Sequence, residues 1–287
     1  MVNPENMLFV RPHDCHYCGN GWWALYHVVQ YAQSKGKWDI TDLEGTQAEL
    51  TPVHNALDTQ TPLGLYGFGH GGPSVYTGNS ENVIFSTTTG TNKLNNKIIY
   101  LLSCLTAQQL GLKIVQDGGK SYAGFMQEWN WLIEGSTDDD PYYDKYGKCF
   151  FESANQLWVA MIDGASFQEA INASMAKYNE WIDYWYDSGD PNTPMVVGNL
   201  AHDRDILMAY GDLNATLEMG PDPMNQYTNE TDCETNGGYW WADGTCHSFP
   251  EYTGNLPFRF YLTEFLPYIV AGGAILIMAI YYFFFRQ

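Results

Sequence analysis

The sequence contains few basic residues, and this scarcity limits the partners that the protein can bind. Its 287 residues include 13 Lys and Arg against 33 Asp and Glu, which gives a formal net charge of −20. A field of that sign repels the phosphate backbone of DNA and RNA. We therefore expect no nucleic-acid partner. The negative charge is compatible with binding cationic substrates, with binding metal cations, or simply with solubility. The composition does not choose among these.

The sequence also lacks a secretory signal, a repeat array and any long low-complexity tract. Residues 1–6 carry neither the basic start nor the long apolar run of a signal peptide. Hydrophobic residues form 45% of the chain and aromatic residues 16%, which is typical of a folded protein and not of a disordered one. The length suffices for one full α/β domain with small appendages.

Charged side chains are missing from residues 265–285. A stretch of roughly 20 apolar residues spans a bilayer as a helix, so we predict a single transmembrane anchor within residues 257–287. A buried core helix is the poorer interpretation for a terminal segment of this length. Arg259 and Arg286 flank the stretch on opposite sides, so the positive-inside signal for its orientation is thin.

Other features indicate that the main domain lies outside the cytoplasm. Asn172, Asn214 and Asn229 each begin a tripeptide with the form of an N-glycosylation acceptor. Cys233 and Cys246 lie 13 residues apart, and a disulfide between them would close a modest loop in an oxidising compartment. We therefore expect an extracytoplasmic, membrane-anchored glycoprotein. Because no signal peptide opens the sequence, the chain is predicted to be a fragment of a longer precursor.

Short apolar segments alternate with helical patterns over residues 1–219. Strands are predicted at residues 7–10, 38–43, 63–68, 97–102, 121–126 and 207–210, and helices at residues 22–34, 105–117, 150–163 and 166–187. This alternation predicts an α/β domain whose largely parallel sheet is covered by helices on both faces. Pro221 and Pro223 then mark a linker, and residues 220–256 are predicted to form a small disulfide-bounded module before the anchor.

Two predicted strands end in residues that can carry out acyl transfer. His70 follows strand 63–68 between glycines, and Cys104 follows strand 97–102. Because the carboxyl ends of parallel strands meet at one sheet edge, the two side chains are expected to share a cleft. The thiol supplies a nucleophile, the imidazole transfers protons, and the amide of Gly71 can face a developing oxyanion. Taken singly, a Cys or a His is more often structural.

The order of these motifs resembles the caspase, gingipain and legumain clan of cysteine peptidases, with the closest resemblance to its gingipain-like branch. A strand ending in His-Gly is followed, 34 residues after the His, by a strand ending in Ser-Cys. Weaker similarities are the segments KSYAGF, SFQEA and AYGD, at residues 120–125, 166–170 and 209–212. In the last of these, Leu213 stands where a Pro is common in the family.

The resemblance implies a caspase-like three-layer sandwich with a mostly parallel sheet, to which the small Cys-bounded module and one C-terminal transmembrane helix are added. It implies a cysteine-type endopeptidase that hydrolyses protein or peptide substrates through a thioester acyl-enzyme. By resemblance, His70 assists protonation, Cys104 attacks the carbonyl, and the amides of Gly71 and Cys104 form the oxyanion hole. The alternative is a catalytically inactive envelope binding or adhesion module.

Three further groups of residues have roles that the sequence leaves open. Asp14 and Glu128 follow predicted strands and could bind a basic substrate side chain, although such carboxylates are usually solvated. The loop around Cys15 and Cys18 fits a structural turn, a substrate pocket, a disulfide or redox pair, or zinc, and we assign it no metal. No cofactor is required for the predicted chemistry. Structural calcium at residues 138–140 is a weaker expectation.

Overall fold

Strands and helices alternate along the chain, in the order that the sequence pattern predicts. The structure is a computed structural model, and it describes residues 5–15, 17–217, 231, 239–240 and 246–247. The strands of the main domain are β1 (Glu5–Arg11), β2 (Trp38–Glu44), β3 (Gly64–Phe68), β4 (Gly71–Gly72), β5 (Val75–Thr77), β6 (Val83–Ser86), β7 (Ile98–Leu102), β8 (Ser121–Phe125) and β9 (Leu207–Gly211). The α-helices are α1 (Cys18–Ser34), α2 (Leu50–Thr59), α3 (Leu110–Gln116), α4 (Gly147–Ile162), α5 (Phe167–Ser188) and α6 (Thr193–Ile206).

Six strands form the central sheet in the order β2-β1-β3-β7-β8-β9. Neighbouring strands are parallel, except that β9 runs antiparallel to β8. The last residues of β3 and β7, Phe68 and Leu102, are register partners. The prediction of a mostly parallel sheet is therefore confirmed, and the carboxyl ends of β1, β3 and β7 lie at one edge.

Alternate side chains of the sheet enter two separate apolar cores, one on each face. Met7 and Phe9 of β1 belong to the core covered by α1, α4, α5 and α6. Leu8 and Val10 belong to the opposite core, which α2 and α3 cover. Burial of one such side chain contributes roughly 1.5–3 kcal/mol. Because both faces of β1, β3 and β7 are buried, these strands have nearly continuous apolar sequences, and the three-layer arrangement follows.

Local signals explain where the longest helix starts and stops. Ser166 accepts a hydrogen bond from the Glu169 amide, and the Glu169 carboxylate accepts one from the Ser166 amide, which completes a capping box at the start of α5. Gly189 follows the helix with φ +69°, a left-handed conformation that glycine adopts without a steric penalty. The predicted helix at 166–187 is thus confirmed to within about one residue.

The structure differs from the sequence prediction in five places. Helices α2 and α6 and the small antiparallel sheet β4–β6 were not predicted. Both helices carry a proline near their start, and a proline is normally a signal that breaks a helical pattern. The helix predicted at 105–117 is reduced to α3, because residues 105–109 form turns. In contrast, α1 begins at Cys18, four residues before the predicted start at residue 22.

Several sequence predictions fall outside the described residues. These include the anchor at 257–287, the acceptor Asn229 and the side chains of Cys233 and Cys246. The backbone of Cys246 belongs to strand β11 (Cys246–His247), which pairs antiparallel with β10 (Tyr239–Trp240). Within the described part of the chain, no helix is both long and apolar enough to cross a bilayer. The anchor, the disulfide and the three domain boundaries therefore stay predictions.

Candidate functional site

His70 and Cys104 lie on adjacent loops at the carboxyl edge of the sheet. Each stands two residues beyond its strand, and the final residues of those strands are register partners. Both residues are half-buried, at positions between solvent and core. The sheet thus brings the predicted base and the predicted nucleophile to the same edge.

Gly71 brings the histidine loop into direct contact with the cysteine loop. A Cβ atom at this position would lie 2.6 Å from the backbone oxygen of Cys104 and nearer still to the hydroxyl of Ser103. Only a residue without a side chain permits this approach. The carbonyl of Pro73 also accepts a hydrogen bond from the Leu110 amide at 2.9 Å. The spacing between the two loops is therefore fixed by backbone contacts.

The turn that follows Cys104 restricts the position of its thiol. Leu105 has φ +62°, a left-handed conformation that costs a residue with a Cβ roughly 1–2 kcal/mol. Its amide donates a hydrogen bond to the Gln127 carbonyl at 3.1 Å, and the Cys104 thiol donates one to the Trp129 carbonyl at 3.8 Å. The segment after β8 therefore holds the Cys104 loop in place. Local strain of this kind is concentrated at functional sites.

The electrostatic environment of Cys104 favours the protonated thiol. Burial raises the pKa of this thiol, and the carboxylates of Glu128 and Asp203 add to that shift. The thiol is therefore mostly protonated at neutral pH. Since the thiolate is the reactive species, attack at this position requires a base that accepts the proton.

Asp203 supports the same segment from the protein interior, and sequence reasoning missed it. This residue of α6 is fully buried, and its Oδ1 accepts a hydrogen bond from the Asn130 amide at 3.0 Å. Its Oδ2 has no hydrogen-bond partner among the described residues. Burial raises the pKa of the Asp203 carboxyl well above its usual value. In the sequence this aspartate lies in the charged run HDRD, which is typical of a helix surface.

The loop between β1 and α1 places two further cysteines beside His70. Cys15 and Cys18 form a disulfide, with Cα atoms 5.2 Å apart. Both sulphur atoms and a ring nitrogen of His70 lie within 4.8 Å of one another. The buried Asn79 holds this loop, because its Oδ1 accepts a hydrogen bond from the Asp14 amide at 2.8 Å. The loop therefore shares the sheet edge of the two candidate catalytic residues.

The two candidate specificity residues flank this site on opposite sides. Asp14 follows β1, Glu128 follows β8, and those strands enclose β3 and β7 in the sheet. Both side chains are exposed. The Asp14 carboxylate accepts a hydrogen bond from the Ser80 hydroxyl at 3.1 Å, and the Glu128 carbonyl accepts one from His202 at 2.9 Å. Their role in binding substrate stays a prediction.

The acidic loop at 138–144 uses its carboxylates to shape the chain. Asp140 contacts His27 at 2.8 Å and caps the amide of Tyr142 at 3.0 Å. Burial acts to raise the pKa of Asp144, but hydrogen bonds from four backbone amides outweigh it and lower that pKa. Those amides belong to Glu134, Gly135, Tyr146 and Gly147. Structural calcium in this loop stays a prediction.

Two of the glycosylation acceptors lie in described segments. Asn172 is a half-buried residue of α5, and its side-chain oxygen accepts a hydrogen bond from Gln168 at 2.9 Å. Asn214 is exposed in the loop after β9. Of these two positions, Asn214 has the better access for a modifying enzyme, and glycosylation at both stays a prediction.

The sheet order, the helices on both faces and the loops after β3 and β7 define an α/β fold of the caspase-like kind. Among solved structures, the chain is similar to the complex of Porphyromonas gingivalis RgpB pro- and mature domains, a gingipain, with a TM-score of 0.50 and 8% sequence identity. The match covers 74% of this chain and 48% of that one, so the present chain spans about half of its length. No protein-family model and no curated protein matches the sequence.

Proposed function

We propose that the protein is a cysteine endopeptidase that uses Cys104 as nucleophile and His70 as proton-transfer residue. The observation that carries this proposal is the contact between the two loops at Gly71, on neighbouring parallel strands. The fold shared with a gingipain supports the same assignment. The predicted anchor and glycosylation acceptors would place the enzyme at a membrane, with its main domain outside the cytoplasm.

The chemistry proceeds in two acyl-transfer steps. Cys104 Sγ attacks the carbonyl carbon of the scissile peptide bond while its proton passes to the His70 ring. The negative charge that develops on the carbonyl oxygen is stabilised by the amides of Gly71 and Cys104. The amine leaves with a proton from His70, and a thioester remains on Cys104. Water, deprotonated by the same imidazole, then hydrolyses the thioester.

The environment of the thiol fits this use of His70. Because burial raises the pKa of Cys104, the free enzyme holds few thiolates at neutral pH, and the proton must leave in step with the attack. A bound substrate excludes further water and brings its carbonyl to the sulphur. The carboxylates of Asp14 and Glu128, on either side of the two loops, favour a cationic side chain in the substrate.

Cleavage of a peptide library by the full chain tests the proposal, with metal removed by a chelator. Wild type is expected to cleave a subset of peptides, and Cys104→Ala to cleave none. Cys149→Ser is the matched control, since Cys149 is buried, and a serine hydroxyl can replace its hydrogen bond to the Tyr146 carbonyl. Equal cleavage by wild type and Cys104→Ala would remove Cys104 from the mechanism.

A binding module without catalysis is the second candidate, and one observation favours it. The raised pKa of Cys104 makes its thiol a poor nucleophile until a base acts on it. The aromatic residues Trp22 and Trp23, near the start of α1, could contribute to a binding surface, but both are half-buried and engaged internally. Trp22 lies under the Arg11 guanidinium, and Trp23 donates a hydrogen bond to the Asp138 carbonyl. Failure of an electrophilic probe to label Cys104 in the folded protein would support this candidate.

A further inference from the structure

We propose that Cys15, Cys18 and His70 form a zinc-type metal site when the disulfide is reduced, and that the bound metal removes His70 from catalysis. The metal-binding part of this inference stands on the geometry alone. The inhibitory part rests on the proposed function, because it assigns a catalytic duty to the same imidazole.

The positions of the three ligand atoms support a shared metal. They lie within 4.8 Å of one another, in the one such group among the described residues. Zinc binds thiolate at about 2.3 Å and imidazole at about 2.0–2.1 Å, which places ligand atoms of a tetrahedral site roughly 3.5–3.8 Å apart. After reduction the two sulphur atoms, which are bonded in the disulfide, must move apart to about 3.8 Å. The distance from each sulphur to the ring nitrogen must shorten by about 1 Å at most, so small movements close the site around a cation. Two cysteines separated by two residues match the usual spacing of zinc ligands.

The local backbone brings both sulphur atoms to the same side of the loop. Tyr17, between the cysteines, has φ +66°, and the Cys18 amide donates a hydrogen bond to the Cys15 carbonyl at 3.1 Å. Asn79 anchors the preceding residue, Asp14, from the neighbouring loop. The donor set is therefore partly organised before any metal binds, which lowers the entropy cost of binding.

The electrostatics of the loop suit anionic sulphur. Cys18 is the first residue of α1, a helix of 17 residues, and the positive end of the helix dipole favours a thiolate there. Its side chain is 1% exposed. Two thiolates neutralise the charge of a divalent cation, so the metal-bound site has no net charge. The cost of burying a net charge beside Cys18 is therefore avoided. The third ligand, His70, lies in the loop after β3. Residues 13–18 therefore do not have to supply all four zinc ligands, which would be sterically crowded in so short a segment.

Reduction couples the site to the redox state of the surroundings. A dithiol reductant gives two electrons and two protons to the Cys15–Cys18 disulfide and is itself oxidised to a disulfide. The divalent cation then displaces the two thiol protons, and the lone pair of a His70 ring nitrogen completes the protein ligand set. The other ring nitrogen of that imidazole carries its proton. A metal-bound His70 consequently has no lone pair with which to accept the proton of Cys104.

Metal binding is measured on the full chain carrying Cys104→Ser, so that catalysis plays no part. The protein is reduced with a phosphine, freed of metal and titrated with zinc against a chromophoric chelator. Cobalt in place of zinc reports thiolate ligation through its charge-transfer absorption. The variants Cys15→Ser, Cys18→Ser and His70→Ala are compared with Cys233→Ser/Cys246→Ser, the matched control pair. Circular dichroism and melting curves establish that each variant is folded.

We expect one zinc per reduced chain and none in the oxidised chain. Loss of either Cys15 or Cys18 should weaken binding by more than about 100-fold, since even groups that only orient a ligand are worth roughly 10–100-fold. The control pair should bind as tightly as the parent. Equal affinity in Cys15→Ser and the parent, or loss of binding in the control pair, would overturn the metal site.

A second arm uses the protein with Cys104 intact and measures peptide cleavage. Zinc should inhibit the reduced protein and leave the oxidised protein active. Cleavage that persists at saturating zinc in the reduced protein would overturn the inhibitory role of His70 ligation. If zinc binds as described but no cleavage is seen in either redox state, the proposed function fails and the metal site stands. If cleavage is seen but zinc does not bind, the metal site fails and the proposed function stands.

Discussion

Replacement of Gly71 by alanine tests whether the contact between the histidine and cysteine loops sets the rate of catalysis. A methyl group there would meet the backbone oxygen of Cys104 at 2.6 Å, a distance that real Cβ contacts essentially never show. The same methyl would meet the Thr106 side chain at 2.6 Å. The φ angle of Gly71 is outside the left-handed region, so alanine can adopt the backbone conformation. The perturbation is therefore steric and local.

The size of the effect follows from how far the loops must separate. To reach the 3.4 Å at which ordinary contacts begin, the Cys104 carbonyl must retreat by about 0.8 Å, and as backbone it cannot rotate away. A displacement of about 1 Å between reacting groups can cost roughly 100-fold in rate. Overpacking of this kind also costs about 1–3 kcal/mol of stability, which corresponds to a loss of roughly 2–12 °C in melting temperature.

Gly72→Ala provides the matched control at the next position. Its methyl would meet only the tip of Val75, at 3.3 Å. We measure kcat/KM on one cleaved peptide, the alkylation rate of Cys104 and the melting temperature for both variants. Gly71→Ala should lose about 100-fold in kcat/KM, whereas Gly72→Ala should stay within about threefold, because a flexible side chain yields at little cost. Equal kinetics in the two variants would refute the claim that the contact at Gly71 positions the catalytic groups.

Two further predictions concern the carboxyl groups behind and beside the thiol. Burial raises the pKa of Asp203, so the folded wild type holds this proton longer than the unfolded chain and should lose stability as pH rises from about 4, the usual Asp pKa. Asp203→Asn keeps an acceptor for the Asn130 amide but cannot titrate. Its free energy of unfolding, measured in urea between pH 5 and 8, should therefore decline less with pH than that of wild type. Parallel curves for the two proteins would contradict this expectation. Glu128→Gln removes a carboxylate that raises the pKa of Cys104. The pH midpoint of Cys104 alkylation should therefore fall, and an unchanged midpoint would show that Glu128 does not act on the thiol.

The parts of the fold that the sequence predicted well are those specified by neighbouring residues. The apolar runs at 63–68 and 97–102 became β3 and β7 with ends displaced by one residue at most. The apolar sequence stops at the end of each run, at the glycine-rich segment Gly69–Gly72 in one case and at Ser103-Cys104 in the other. Strand ends are therefore marked locally, and the placement of His70 and Cys104 just beyond them was predictable.

The remaining parts of the site depend on contacts between distant segments. Asp203 stands in a charged run, and its burial arises only because α6 packs beneath the segment after β8. Asn79 joins the loop after β1 from a segment 65 residues further along the chain. The approach of Cys15 and Cys18 to His70 requires β1 to be the neighbour of β3, and strand order is not encoded in the periodicity of either strand.

The order of the three central strands makes the proposed metal binding and the proposed peptide hydrolysis compete for the same residue, His70. β3 lies between β1 and β7, so its loop carries His70 between the Cys15–Cys18 loop on one side and the Cys104 loop on the other. A single imidazole has one lone pair to give in its neutral form. If that pair binds a metal held by the first loop, it is lost to the thiol of the second. The proposed metal binding and the proposed peptide hydrolysis should therefore exclude each other, because the topology that places His70 at the same sheet edge as Cys104 also places it beside Cys15 and Cys18.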